Sequence, residues 1–178
     1  RLSSSSPNLQ NMPKGRLFPV RKAFVSRFKG GELVEIDYSQ LEFRVAGILA
    51  TDEVVKREVE SGFDVHAYTA QVLSDNGEPT ERGAAKASTF RPLYGGTQGT
   101  TAQRTYFKEF FNKYKGIFKW HEHLQNEAIQ HKLVTTATGR QFSFPDCQRN
   151  FSGAATYKTQ IVNYPVQSVA TAEIVPLG

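Results

Sequence analysis

The residues best suited to chemistry lie in "ERGAAKASTFRPLYGG", positions 81–96, where Arg82, Lys86, Phe90 and Tyr94 recur four residues apart. On a helix, steps of four advance about 6 Å each and turn about 40° beyond a full rotation, so these side chains form one slowly twisting ridge. Its first half carries two cations and its second half two rings. That order suits a ligand with a phosphate tail at one end and a sugar and base at the other, as in a nucleoside triphosphate. An amphipathic helix with a solvated basic face and core-facing rings has the same spacing. Pro92 has no N–H for the carbonyl of Ser88, so the last turn is predicted to loosen before Gly95 and Gly96 end the helix. The following "GGTQGTT" is glycine-rich but lacks the Gly-Lys-Ser/Thr ending of a phosphate-binding P-loop.

A second candidate is Asp37, at the end of the β-prone run "LVEIDYS", with Glu42 a little further on. A hard cation such as Mg²⁺ takes carboxylate and backbone oxygens together with the phosphates of its substrate. Asp37 and the carbonyl of Tyr38 fit that chemistry, although capping a helix is the commoner use of an aspartate there. Two-metal phosphoryl transfer needs a further bridging carboxylate. Asp146 and Glu173 are the nearest downstream acids, and neither lies in a context that demands the role.

The elements that must position these groups follow from periodicity. Residues 33–39 alternate as a strand with Val34, Ile36 and Tyr38 on one face, and Ser39 is placed to cap a helix carrying Leu41, Val45, Ile48 and Leu49. Shorter helices are predicted over 52–61 and 65–74, split by Gly62, and the ridge helix over 80–95 with Thr80 as its cap. Two more fit 101–114 and 116–131, with Phe107, Phe110, Phe111, Tyr114, Phe118 and Trp120 supplying apolar faces. "LVTTATGRQFSF" reads as a hairpin turning near Gly139, and 152–175 as a helical region broken at Pro165.

Composition sets the outer limits. The 178 residues are 39% hydrophobic, enough for a core. The net charge of +5 comes from 22 Lys and Arg against 17 Asp and Glu, and it favours a polyanionic partner without a basic tail. Aromatics at 12% add surfaces on which bases can stack. Cys147 stands alone, which excludes an internal disulfide and points to a reducing compartment. No apolar run reaches membrane-spanning length. "NFS" at 150–152 matches a glycosylation acceptor in a chain with no secretory signature, so a chance match is the better reading. Zinc held by His121, His123, His131 and Cys147 fits no standard spacing. The first residue is Arg1, the only methionine is Met12, and the sequence stops at "EIVPLG" inside an apolar helical pattern; a piece of a longer protein is expected.

Taken as a set, "RLSSSSPNLQNMP", "DYSQLEFR", "RGAAKASTFRPLYGG" and "NYPVQSVATAEI" resemble four motifs of family A DNA polymerases, the DNA polymerase I class and its phage relatives, in order and spacing across the whole chain. The resemblance implies an α+β, mainly helical fold: the fingers and partial palm of a right-hand polymerase. Residues 1–50 would be partial palm with the first metal motif, 51–131 the fingers including the helix at 80–95, and 132–178 a hairpin and return to the palm, ending before the second metal motif. It implies template-directed DNA synthesis from deoxynucleoside triphosphates on primer-template DNA, with two Mg²⁺ ions, inside a bacterial or phage-infected cell.

Residue by residue, the resemblance implies Asp37 as first metal ligand, with the Tyr38 backbone beside it and Gln40 in the nucleotide site. Glu42 would lie beneath the incoming sugar, and His66 against the triphosphate. Arg82 and Lys86 would hold the triphosphate, with Lys86 also the acid toward departing pyrophosphate. Phe90 would cover the new sugar and base, and Tyr94 the template position. Arg1, Asn8, Gln10, Asn163 and Gln167 would contact primer and template. Arg91 and Pro92 depart from the small or aliphatic residues of bacterial members, which suggests a phage-type branch. Thr159 stands where bacterial members carry an arginine. A processivity factor is not specified by any of these motifs. A catalytically inactive nucleic-acid-binding module is the alternative reading of the same basic surface.

Overall fold

In the computed structural model, the described residues are 5, 6, 8, 12, 13, 19–34 and 36–175. The chain forms two compact units, residues 1–39 and 40–178. The first contains a short 3₁₀ turn, Val20–Ala23, and a tight turn in which Gly31 donates to the carbonyl of Phe28. The strand predicted at 33–39 does not form among the described residues. Alternation creates a strand only where a neighbour pairs with the backbone and a core receives one face. Here Val34 and Ile36 are exposed, Ile36 at 82%.

The second unit is helical. It runs α1 (Leu41–Leu49), α2 (Glu53–Glu60), α3 (Val65–Asp75), α4 (Arg82–Leu93), α5 (Thr101–Lys113) and α6 (Lys115–His131). Then come β1 (Leu133–Thr135), β2 (Gln141–Ser143) and α7 (Lys158–Gln167), and a π-helical segment, Ser168–Ile174. The strands are antiparallel, with Val134 opposite Phe142, and they turn at Gly139, whose φ of +85° favours glycine. The expected α+β, mainly helical architecture is therefore observed.

One core gathers Phe43, Val45, Val65, Leu73, Leu93, Tyr106, Phe110 and Ile117 from five helices, with Tyr114 at the junction of α5 and α6; a second lies under the hairpin, around Leu124, Val134, Phe144, Cys147 and Ile161. The aromatic run of α5 and α6 supplies much of the first, through edge-to-face pairs such as Phe110 with Tyr114 at 4.8 Å. No described helix is long and apolar enough to cross a membrane.

Several helix ends differ from expectation. Gln40, not Ser39, precedes α1, in the left-handed conformation at φ 55° and without a side-chain cap. Thr80 does not cap α4; its hydroxyl turns back to the carbonyl of Glu78, and Glu81 takes the cap position without a side-chain bond. Pro165 does not break the last helical region. It is buried inside α7, and the backbone changes to the π-helical pattern three residues later, at Ser168.

Candidate functional site

The ridge forms as spaced, on α4. Pro92 does not loosen its end: the helix continues to Leu93, and Tyr94 N–H donates to the carbonyl of Phe90 at 3.0 Å. Gly95 donates to Pro92 at 2.9 Å and Gly96 to Arg91 at 2.8 Å, with Gly95 at φ +77°. This is a Schellman closure, and it satisfies the last carbonyls that a frayed end would leave open. Only the bond from position 92 to Ser88 is forfeited, and burial of the Pro92 ring beside Leu93 holds the turn in place.

Along the ridge, the rings of Phe90 and Tyr94 stack at 6.0 Å with 15° between planes. Lys86 Nζ lies 5.9 Å from the centre of the Phe90 ring, within cation–π range. Arg82 is exposed, its side chain at 61%, and Nε donates to Asp64 Oδ2 at 2.5 Å. Asp64 also caps α3, accepting from His66 N at 3.0 Å and Ala67 N at 3.1 Å. Burial pushes the Asp64 carboxyl upward, but the Arg82 hydrogen bond, the amides of Ala67 and His66 and the Arg82 charge outweigh it. The group is held below the usual carboxylate range.

His66 is brought to the same face. It is buried, packs edge-on against Phe90 at 5.4 Å, and makes a 3.1 Å hydrogen bond from Nδ1 to Thr89 Oγ1. Burial, first, lowers its pKa; Arg82 and Lys86 lower it further, while Asp64 and Glu42 oppose. Glu42, half-buried on α1, thus contributes its charge to this cluster. Gln40 is engaged elsewhere, its Nε2 donating to the carbonyl of Phe63 at 3.3 Å.

At the other end, Gln167 Nε2 donates to the Tyr94 hydroxyl at 2.9 Å, which joins α7 to the end of α4. Asn163, one turn earlier on α7, keeps Oδ1 buried without a hydrogen-bond partner. Asp37, Tyr38 and Asn8 belong to the first unit, where Asp37 and Tyr38 are exposed; Arg1 and Gln10 lie outside the described residues. No cluster of three or more His, Cys, Asp or Glu suited to a metal occurs among the described residues. The zinc quartet in particular is not assembled: Cys147 is buried in the hairpin core, and His123 lies 3.8 Å from Glu127.

Sequence reasoning missed three residues here. Arg91, seen only as a departure, donates from Nη1 to the Gln98 carbonyl and to Gln103 Oε1, both at 3.1 Å, and so ties the glycine-rich loop back to α4. Thr69 and Thr89 form a buried hydroxyl pair behind His66, 2.8 Å apart. Asp64 pairs with Arg82 through the way α3 and α4 meet, which no local pattern announces.

The chain as a whole is similar to known proteins. The model of DNA polymerase family A matches residues 1–177. The chain is 32% identical to DNA polymerase I of Streptococcus pneumoniae and 33% identical to that of Bacillus caldotenax, covering 96% of this chain and 21% of each relative. It is 32% identical to the thermostable DNA polymerase I of Thermus aquaticus, over 96% of this chain and 22% of the relative. The chain thus spans about a fifth of the length of the curated relatives it matches. Among solved structures, the polymerase domain of Pol1 from M. smegmatis, in complex with DNA primer-template and dNTP, matches with a TM-score of 0.68 and 26% identity. That match covers 94% of this chain and 32% of the other. With the model covering nearly every residue, the chain belongs to DNA polymerase family A.

Proposed function

We propose that this chain is the nucleotide-binding fingers and adjoining palm segment of a DNA-directed DNA polymerase. In the whole enzyme it would serve nucleotidyl transfer from deoxynucleoside triphosphates to a primer paired with its template. The carrying observation is the polarity of α4, with exposed Arg82 and Lys86 at its start and the stacked Phe90 and Tyr94 at its end. The relatives named DNA polymerase I support the reading.

In this reading residues 1–50 are partial palm, 51–131 the fingers, and 132–178 the return to the palm. Arg82 and Lys86 hold the triphosphate, and Lys86 Nζ is the proton donor toward the departing pyrophosphate. Phe90 covers the nucleoside, and Glu42 closes the space beneath its sugar. Tyr94 occupies the template position until the Gln167 bond is released. Asn8, Asn163 and Gln167, with Arg1 and Gln10, contact primer and template, where they would meet acceptors shared by all base pairs in the minor groove. The placement on a phage-type branch rests on Arg91 and Pro92.

Asp37 and the Tyr38 carbonyl are hard oxygen donors of the kind Mg²⁺ takes. They are too few to hold it alone, so further ligands would come from substrate phosphates and from a carboxylate beyond this chain. When bound, a pair of such ions would activate the primer hydroxyl and neutralise charge on the transferring phosphate.

Primer extension by the full-length parent tests this reading. Asp37→Ala is expected to abolish extension, and Lys86→Ala to lower kcat by about 100-fold or more. Full activity in Asp37→Ala overturns the assignment. DNA binding that depends steeply on salt but is indifferent to nucleotide would favour an inactive nucleic-acid-binding module instead.

A further inference from the structure

Thr89 is wholly buried near the middle of α4, where a β-branched residue gains nothing for the helix itself. Its hydroxyl stands at the centre of a small network linking α3, α4 and α5. Thr89 Oγ1 lies 3.1 Å from His66 Nδ1, 2.8 Å from Thr69 Oγ1 and 3.1 Å from the Ala85 carbonyl. Thr69 Oγ1 lies 2.7 Å from the Val65 carbonyl and 3.0 Å from the hydroxyl of the fully buried Tyr106.

Each hydroxyl has one proton to give. The shortest contact of Thr69 is to the Val65 carbonyl, which accepts only, so Thr69 donates there. Tyr106 then donates to Thr69, the acceptor its buried phenol requires. With the Thr69 proton given to Val65, the 2.8 Å contact between the two threonines takes the proton of Thr89. Thr89 then accepts at its contact with His66, and Nδ1–H donates there. A neutral ring protonated at Nδ1 carries its lone pair on Nε2, and a lone pair repels a phosphate oxygen.

We propose that Thr89, backed by Thr69, is a positioning residue that fixes His66 with its proton on Nδ1, so that Nε2 engages a bound phosphate only by taking up a proton. Nucleotide capture and protonation of His66 are thereby one event. The inference rests on reading α4 as a triphosphate site. The charged groups facing the ring are Asp64 at the cap of α3, Arg82 and Lys86 on α4, and Glu42 on α1. In the free protein burial leads in keeping the ring neutral, with the two cations adding to it. A triphosphate shields those cations and brings negative charge, which reverses the balance. Binding that consumes a proton tightens as pH falls through the histidine range.

Two measurements on the full chain test this. Long-range ¹⁵N–¹H correlation of the imidazole reads the tautomer without any ligand. The Nδ1–H form is expected in the unmutated protein and in Thr89→Ser, and a mixture in Thr89→Val. An Nε2–H form in the unmutated protein overturns the proposal, as does a Thr89→Val spectrum unchanged from it. Calorimetric titration with dATP and Mg²⁺ at about pH 7, in buffers of different ionisation enthalpy, reads proton uptake. Uptake is expected in the unmutated protein and in Thr89→Ser, reduced in Thr89→Val and lost in His66→Gln. Binding without uptake overturns the coupling while leaving the triphosphate site intact. Absence of dATP binding in every form overturns that site and the coupling together.

Discussion

Asp52 and Asp64 each stand one residue ahead of a helix, in nearly the same extended conformation, and each uses Oδ1 to accept from the second and third backbone amides. They differ in the second oxygen. Asp52 Oδ2 accepts from Gly116 N at 2.7 Å and from Ile117 N at 3.2 Å, so one carboxylate, 4% exposed, caps both α2 and α6. Asp64 Oδ2 is given to the exposed guanidinium of Arg82. A fully committed carboxylate is architecture. One whose second oxygen holds a solvent-facing cation leaves that cation open to competition from other anions in solvent. The distinction separates the part of this unit that stays fixed from the part able to exchange ligands.

The largest effect should come from breaking the committed side. Asp52→Ala removes two helix caps worth about 1 kcal/mol each and strands amides at the buried start of α6. A loss of about 3 to 4 kcal/mol in urea unfolding is expected. Gly116 leaves room for this carboxylate, since a Cβ there would lie 2.7 Å from Oδ2. A loss below about 1 kcal/mol in Asp52→Ala would mean that the double cap is incidental.

A buried histidine pair repeats the contrast. His66 has Thr89 at Nδ1, whereas His121 is buried with Nε2 lacking any hydrogen-bond partner. Burial, then the nearby Lys158 charge, brings the His121 pKa down to about 4, opposed by a backbone hydrogen bond to Leu93. With the folded pKa below the unfolded one, the unfolded chain binds the proton first. Stability is therefore full above about pH 6.5 and falls by about 3 kcal/mol as pH drops to about 4. His121→Leu should flatten that part of the stability curve, measured by urea unfolding at a series of pH values. An unchanged slope would place the acid sensitivity elsewhere.

Much of this was legible beforehand because it is local. The helices follow from apolar spacing, the turn from Gly139, and the ridge from a four-residue repeat, which needs only one helix to exist. The exceptions are contacts made at a distance. Nothing near Asp52 in sequence announces Gly116, 64 residues on. Thr69 and Thr89 read as ordinary interior residues until α3 and α4 pack together. Residues 33–39 failed in the opposite sense: their β-prone alternation is strong, yet a strand is a property of its neighbours. Pro92 was misread because its cost was counted without the closure supplied by Gly95 and Gly96.

The smallest effect sharpens the exchangeable side. Asp64→Asn keeps an oxygen for the α3 amides but gives up the ion pair, so stability at neutral pH should change by less than about 1 kcal/mol, the usual worth of an exposed pair. Because the Asp64 carboxyl titrates below its usual range, what it contributes is present above about pH 4 and lost only below, outside the His121 window. Affinity for dATP with Mg²⁺ should rise about 3-fold in Asp64→Asn, as Arg82 no longer has to leave a carboxylate to meet a phosphate. The gain should shrink as salt is added, since Arg82 is exposed and its competition with Asp64 is screened. A fall in affinity would instead make Asp64 the group that aims Arg82 at its ligand. The two capping aspartates would then differ in what they hold, but not in whether they let go.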